Sequence, residues 1–255
     1  MTSTYTVTAL VKGLRVLSAF SEQRRELRLV DVAELTGIPI ATAFRLLRTL
    51  EEEGYIEQLD GGRFRPGPYV LSLGYAALQG QDLVEAATVR LKRLADETGE
   101  TVNLGVLVGA NVLYLVRIRN TDLVTANVQV GSMLPAPCSS MGKMLLAYLD
   151  RSEVEQLIHK RDFIHCRGPR APRSIAELHR RLSEVRKREW AFQDEEVAHG
   201  LRSVAAPVRD ATSVVAAADL AVQASRWTLE SLIENFLPPL LEAVQDISQL
   251  LGCPG

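Results

Sequence analysis

Four arginines stand where guanidinium chemistry would be useful: Arg45 and Arg48 are three residues apart, Arg63 and Arg65 two apart. The first pair shares a face if its segment is helical, and the second does if its segment is extended. A guanidinium presents five donors in a planar fork, which suits phosphate oxygens and the guanine edge. A second cluster, Pro137-Cys138-Ser139-Ser140-Met141-Gly142-Lys143, admits three readings. Hydroxyls and a glycine at a helix start leave amides free for an anion such as a carboxylate. Ser139 or Ser140 would serve equally as an ordinary N-cap. Ser140-x-x-Lys143 is also the nucleophile signature of penicillin-binding enzymes, but their S-D-N and K-T-G elements are absent, as is G-x-S-x-G. The four histidines fall in no motif, so no catalytic residue is assigned; covalent labelling of Ser140 by an acylating probe would revive the enzyme reading.

Two acidic features remain. Asp194-Glu195-Glu196, shortly before His199-Gly200, lacks the alternating carboxylates of a calcium loop and reads as a solvated acidic turn. Asp219 lies inside the apolar run 214–222. A carboxyl there is costly unless it is paired or faces a polar cavity, so it marks a pocket, an edge-of-sheet position being the alternative. Three cysteines, Cys138, Cys166 and Cys253, show no metal-ligand spacing. No metal or cofactor is expected, and Cys138 reads as a small buried thiol.

These residues need elements to position them. Residues 29–66 read as two short helices, a tight turn and a hairpin. The first helix carries Val32 and Leu35 on one side and stops at Thr36-Gly37, and Pro39 suits the first position of the next. In that second helix Ala43, Leu46, Leu47 and Leu50 follow the i, i+3, i+4, i+7 pattern of a buried stripe. Ala41, Arg45, Arg48 and Glu52 then lie opposite, with Thr42 and Thr49 to one side. Small residues near the start permit close approach to a major groove, and the arginines reach phosphates or bases. Strand 55–59, the turn Asp60-Gly61-Gly62 and the return Arg63-Phe64-Arg65 form a basic wing, with Phe64 on the side away from its two arginines. Such units also serve as plain interaction modules; the two charged pairs favour a duplex. An amphipathic helix over 8–21, with Leu10, Leu14, Leu17 and Phe20 inward, would complete the core, while Lys12 and Arg15 lie off that stripe.

At 255 residues the chain is long enough for two modest domains. A net charge of −2 does not advertise nucleic-acid binding, but a whole-chain sum hides a local patch. No signal peptide and no apolar run of the roughly 20 residues that cross a bilayer is seen, so a cytoplasmic, non-membrane protein is expected. Past the wing, 68–80 reads as a connecting helix that packs on a neighbour, with a boundary at 80–82 and Asp82 as N-cap. Beyond it come a helix over 83–98, two strands about Gly109-Ala110-Asn111, and a third strand at 124–130. Helices follow over 139–149 and 152–159, then a basic surface loop over 166–174 and a helix capped by Ser174. Three further strands (190–194, 202–209, 214–222) precede a last helix over 228–251, kinked at Pro238-Pro239. The order implies an α+β domain with a central antiparallel sheet.

Three segments, TGIPIATAFRLLRTLEEEGYIE, GSMLPAPCSSMGKMLLAYL and DEEVAHGLRSVAAPVRD, together resemble the isocitrate-lyase-regulator (IclR) family of bacterial transcription factors, over essentially the whole chain. PCSSMGKMLLAYL is most similar to the branch controlling aromatic-acid breakdown through protocatechuate and β-ketoadipate. The resemblance implies a winged helix-turn-helix DNA-binding domain (1–66), a linker helix (67–81) and a GAF-like α+β effector domain (82–255). It also implies homodimers, often paired into tetramers, on palindromic double-stranded operators, and a small carboxylic acid as effector. The DNA-contacting residues would be Ala41, Thr42, Arg45, Arg48, Arg63 and Arg65. Carried over by motif, the effector site comprises Ser140, Met141, Asp194, Ser203, Asp219 and Ala221. The last two positions depart from the family pattern, which has small polar residues such as Ser or Asn there. An aspartate at 219 would repel a carboxylate but accept a hydroxyl proton, as from a phenol or catechol.

Overall fold

Gly37 ends one helix with φ +67°, the left-handed conformation in which a residue without Cβ is least penalised. The computed structural model in which this is seen describes residues 5–21, 24–79, 82–119 and 128–254, divided between two units, Met1–Gly80 and Gln81–Gly255. The first unit runs α1 (Thr8–Ser18), β1 (Leu27–Arg28), α2 (Leu29–Thr36), α3 (Ile40–Glu52), β2 (Ile56–Leu59), β3 (Arg63–Pro66) and α4 (Pro68–Gln79). Pro39 is the N-cap of α3 rather than its first residue; its carbonyl accepts from the Thr42 and Ala43 amides. The hairpin turns through Gly61 and Gly62, both at positive φ, and sets Leu59 opposite Arg63 and Glu57 opposite Arg65. Strand β1 pairs with the free side of β3. At two residues it is too short for alternation to reveal it.

The core of this unit is Val16, Ala19, Leu27, Val32, Ile38, Ala43, Leu47, Ile56 and Phe64, with Leu17, Phe20, Leu46 and Leu50 packed at its edge. Two expectations are corrected. Leu10 and Leu14 are 62% and 54% exposed, and Val16 points inward instead. At about 100° per residue Leu14 lies almost opposite Val16, so α1 is apolar on two sides and its pattern alone could not choose between them. Leu35 is likewise exposed, leaving Val32 to fill the core from α2.

The second unit runs α5 (Asp82–Thr98), β4 (Thr101–Val108), β5 (Asn111–Ile118), β6 (Met133–Pro135), α6 (Ser140–Leu146), α7 (Arg151–Leu157), a 3-10 turn (Lys160–His165), α8 (Ile175–Arg188), β7 (Ala191–Asp194), β8 (Leu201–Arg209), β9 (Val214–Gln223) and α9 (Leu229–Leu250). The strands form one antiparallel sheet in the order β6-β5-β4-β9-β8-β7. Helices α6, α7 and α8 build a core with Tyr114, Ala191, Ala205 and Ala217 on one face of it. Helices α5 and α9 pack on each other and on the central strands to cover the other face. Helix α9 stays continuous through Pro238 and Pro239. No helix among the described residues is long and apolar enough to cross a membrane. The strand expected at 124–130 and the boundary expected at 80–82 fall partly outside the described residues. Residues 128–130 are not part of a strand, and the strand on the outer side of β5 begins at Met133.

The basic loop after the 3-10 turn is not wholly at the surface: Cys166, Gly168, Ala171 and Pro172 are buried. It is drawn inward because the Gly168 amide donates to the Glu196 carbonyl at 3.0 Å, while the Arg173 guanidinium donates to the carbonyls of Cys166 and Gly168. A Cβ at Gly168 would collide with the Glu195 and Glu196 backbone. Gly168→Ala is therefore expected to cost about 1–3 kcal/mol, as overpacking does. That is a fall of roughly 5 °C in melting temperature for a unit of this size. An unchanged calorimetric melt would show that the loop can shift freely.

Candidate nucleic-acid interface and buried polar site

Helix α3 exposes Ala41, Arg45, Arg48 and Glu52 and half-buries Thr42, while Ala43 and Leu47 face the core. Strand β3 exposes Arg63 and Arg65 on either side of the buried Phe64. The guanidiniums are more restrained than their spacing suggested. Arg48 pairs with Glu51 at 2.7 Å, Arg63 with Glu26 at 2.8 Å, and Arg65 with its cross-strand neighbour Glu57 at 2.7 Å. Arg45 has no carboxylate partner among the described residues. Exposed pairs of this kind contribute about 0–1 kcal/mol, so a phosphate can displace the carboxylate.

The second site is built on the sheet. Asp219 lies on β9 between β4 and β8, opposite Asn103 and Ala205, so it is central rather than at an edge. Its Oδ1 accepts from Asn103 Nδ2 at 2.7 Å and its Oδ2 from Ser140 Oγ at 2.9 Å. Ser140 and Ser203 are 2.6 Å apart through their hydroxyls. Since the single proton of Ser140 goes to Asp219, Ser203 is the donor to Ser140. Arg117 donates to Asn103 Oδ1 at 2.9 Å, which fixes the orientation of that amide. Burial pushes the Asp219 carboxyl above the usual range, against the hydrogen bonds from Asn103 and Ser140 and the charge of Arg117. Burial and the Asp219 charge hold the Tyr114 phenol well above its ordinary value.

Helix α6 delivers Ser140 and Met141 to this face. Ser139 Oγ caps it by accepting from the Gly142 amide at 3.0 Å, which leaves the Ser140 hydroxyl for the sheet. The plain-cap reading thus holds for Ser139, while the adjacent Ser140 turns to Asp219 on the sheet. Met141 and Ala221 are both buried, Ala221 opposite Ser203. Asp194 is placed differently from the motif-based expectation. It pairs across the sheet with Arg202, and directly opposed residues share a face, so Asp194 points away from Ser203. It accepts from Arg170, and from Arg202 Nε at 2.6 Å. Its neighbour Gln193 stands opposite Ser203 and is 1% exposed. The Glu196 amide donates to Gln193 Oε1 at 3.0 Å, which sets the orientation of the amide and leaves Nε2 buried with no acceptor among the described residues. A buried donor left unpaired costs about 1–3 kcal/mol. Asn103, Tyr114, Arg117 and Gln193 were missed by sequence reasoning. Alternation from Asp219 and Ser203 would have found them only with the strand register known.

Residues 9–60 match the model of the IclR helix-turn-helix domain, and residues 75–249 that of the bacterial transcriptional regulator IclR C-terminal domain. The chain belongs to the IclR family of bacterial transcriptional regulators. It is 35% identical to the Pca regulon regulatory protein of Pseudomonas putida over 96% of this chain and 85% of that one. It is 30% identical to the transcriptional repressor IclR of Escherichia coli over 96% and 90%. Among solved structures it is similar to an IclR homolog from Microbacterium hydrocarbonoxydans complexed with 4-hydroxybenzoate, at 26% identity and TM-score 0.78 over 96% of this chain and 99% of that one. An IclR-family transcriptional regulator from Brucella abortus aligns at 28% identity and TM-score 0.81 over 96% and 92%.

In this IclR-family chain Ser140 and Lys143 do not form a nucleophile–base couple. Lys143 is 2% exposed, and its ammonium lies 2.5 Å from Glu196 Oε1, whose other oxygen meets Arg181 at 2.7 Å. The acidic turn is correspondingly not solvated. Glu196 is buried, Glu195 accepts from the Gly200 amide at 2.9 Å, and Asp194 is held by two arginines. Among the described residues no group of three or more His, Cys, Asp or Glu is arranged to hold a metal ion. The hydrogen bond with Cys166 pushes the Cys138 thiol up, and burial adds to it.

Burial lowers Lys143 to about 8 although Glu196 works the other way, and burial raises Glu196. Between about 8 and 10.5 the folded protein therefore holds fewer protons at Lys143 than the unfolded chain, so this group makes stability rise with pH across that window. In Lys143→Met that rise is expected to vanish, and breaking the buried pair costs about 3–5 kcal/mol at neutral pH. Denaturant unfolding at several pH values reads both. A Met variant as stable as the wild type would mean that Glu196 is satisfied by Arg181 alone.

Proposed function

We propose that this regulator binds operator DNA as a homodimer through α3 and the wing, and that a hydroxylated small carboxylic acid, aromatic or keto, binds among Ser140, Met141, Gln193, Ser203, Asp219 and Ala221. The observation that carries the effector reading is a buried carboxylate and, on the same face of the sheet across Ser203, a buried donor with no acceptor among the described residues. A ligand hydroxyl can donate to Asp219, and a ligand oxygen can accept from Gln193, completing hydrogen bonds the free protein lacks. The 4-hydroxybenzoate bound to the Microbacterium homolog is a ligand of this chemistry, and the Pseudomonas relative regulates the Pca regulon. The motif-derived Asp194 supports the site from the opposite face of the sheet, through Arg202.

Dimerisation is supported by apolar surface left open on the first unit. Leu10 and Leu14 on α1, and Tyr69, Leu71 and Leu73 on α4, are all more than half exposed. A second copy covering them would set two α3 helices for a palindromic site with half-sites about 34–36 Å apart. Pairing of two dimers is a further step that sedimentation would resolve. Effector binding shifts the balance between two arrangements of the paired DNA-binding units through α4, and only to the extent that its affinity for them differs.

The test is a thermal-shift series on the full chain with 4-hydroxybenzoate, protocatechuate, benzoate and an aliphatic keto acid, followed by duplex binding with the best ligand present. At about 100 times its Kd a ligand adds about 2.7 kcal/mol, a readily seen shift. Silence from every acid, or an undiminished response in Ser203→Ala, would remove the pocket.

A further inference from the structure

Two large apolar side chains stand open on α3: Ile40 and Phe44 are 51% and 48% exposed in the whole chain. They lie four residues apart, so they share one side of the helix, and Arg48 continues the same row. At about 100° per residue, Phe44, Arg48, Ala41 and Arg45 occupy a single arc of about 100°. The buried Ala43 and Leu47 lie outside it. An aromatic ring held in water beside two guanidiniums gains nothing for the fold, and the unit already has a closed core without it.

We propose that Phe44 reads sequence by resting its ring on the 5-methyl group of a thymine in the major groove. Ala41, one turn earlier on the same arc, admits the close approach, and Arg45 and Arg48 hold phosphate or guanine. The proposal rests on the reading that α3 lies in the groove. Thymine alone presents a methyl there, and an apolar side chain is the chemistry that recognises it. The contact separates thymine from cytosine at one position and does not depend on salt, whereas the arginine contacts do. Ile40 extends the apolar strip toward the helix start.

The test uses the full chain. Duplexes selected by the protein from a library with a random core are remade with deoxyuridine replacing each thymine in turn, which removes only the methyl. The wild type is expected to lose about fourfold in affinity at one thymine of each half-site, the effect of exposing one buried methyl. The loss should be the same at low and high salt. Phe44→Ala binds the selected duplex more weakly but is indifferent to that replacement, and Phe44→Leu keeps part of the sensitivity. Wild-type binding unchanged by every deoxyuridine, or a Phe44→Ala profile sensitive at the same thymine as the wild type, overturns the assignment. Arg45→Ala combined with Arg48→Ala tests the underlying reading separately. Retention of wild-type affinity and salt slope there removes α3 from the groove, and Phe44 with it. Loss of both with no thymine effect sinks the Phe44 assignment alone.

Discussion

Arg45→Glu with Arg48→Glu is expected to lower duplex affinity by about a thousandfold for each copy of the chain bound at moderate salt, while leaving the melting temperature almost unchanged. Charge-assisted hydrogen bonds are each worth about 1.5–3 kcal/mol, so losing two of them removes two to four powers of ten for each copy of the chain bound, before repulsion is added. The salt dependence should change as well. Each phosphate neutralised contributes about −0.9 to the slope of log K against log salt, so the slope should flatten by about 2 for each copy of the chain bound. Stability is spared because both side chains lie on the exposed face of α3 and the one ion pair lost, Arg48 with Glu51, is exposed and three residues apart. Gel-shift titration at three salt concentrations, with calorimetry on the same preparation, reads all of this. An affinity and slope equal to the wild type would place the duplex elsewhere.

The second large effect is at Asp219. With its carboxylate ionised, the wild type should prefer 4-hydroxybenzoate over benzoate by about 10- to 100-fold, the range of one charge-assisted hydrogen bond. Asp219→Asn is expected to bring that ratio to within a few-fold, because the hydroxyl loses its charged acceptor, while relief of carboxylate repulsion helps both ligands alike. The pH dependence follows from the raised carboxyl. As pH falls through its folded value, above the ordinary 3.8, the group takes up a proton. The preference for the hydroxylated ligand then weakens in the wild type and not in the Asn variant. The same proton favours the folded state, so the contribution of Asp219 to stability falls as pH rises from 3.8 through that value. Titration calorimetry of both ligands at two pH values decides it, and a wild-type ratio preserved in Asp219→Asn would mean that the hydroxyl binds elsewhere.

Local patterns carried the DNA-binding unit well. Glycine at 37 and the Gly61-Gly62 pair demand left-handed backbone, and the Ala43–Leu47 stripe has one obvious inward side, so these elements follow from short stretches read alone. Helix α1 did not, because Val16 and Leu14 are equally apolar on opposite sides and only the neighbouring α3 selects between them. The loop at 166–174 looked like surface from its arginines and prolines, yet the Gly168 and Arg170 amides, donating to the Glu196 and Glu195 carbonyls, draw it against the acidic turn.

The chemistry of the buried site divides the same way. That Asp219 must face polar company was readable from one carboxyl in an apolar strand, since no such group stays buried without partners. Which partners it has was not readable, because hydrogen-bond register joins residues more than a hundred positions apart and a shift of one residue exchanges the two faces of a strand. That single step separates Gln193, turned toward Ser203, from Asp194, turned to Arg202. Lys143, carried on helix α6, reaches Glu196 in the turn after β7 instead of the serine three residues before it. Residue types and spacings thus specified the elements and the kind of chemistry, while long-range pairing of strands assigned each side chain its face and its partner.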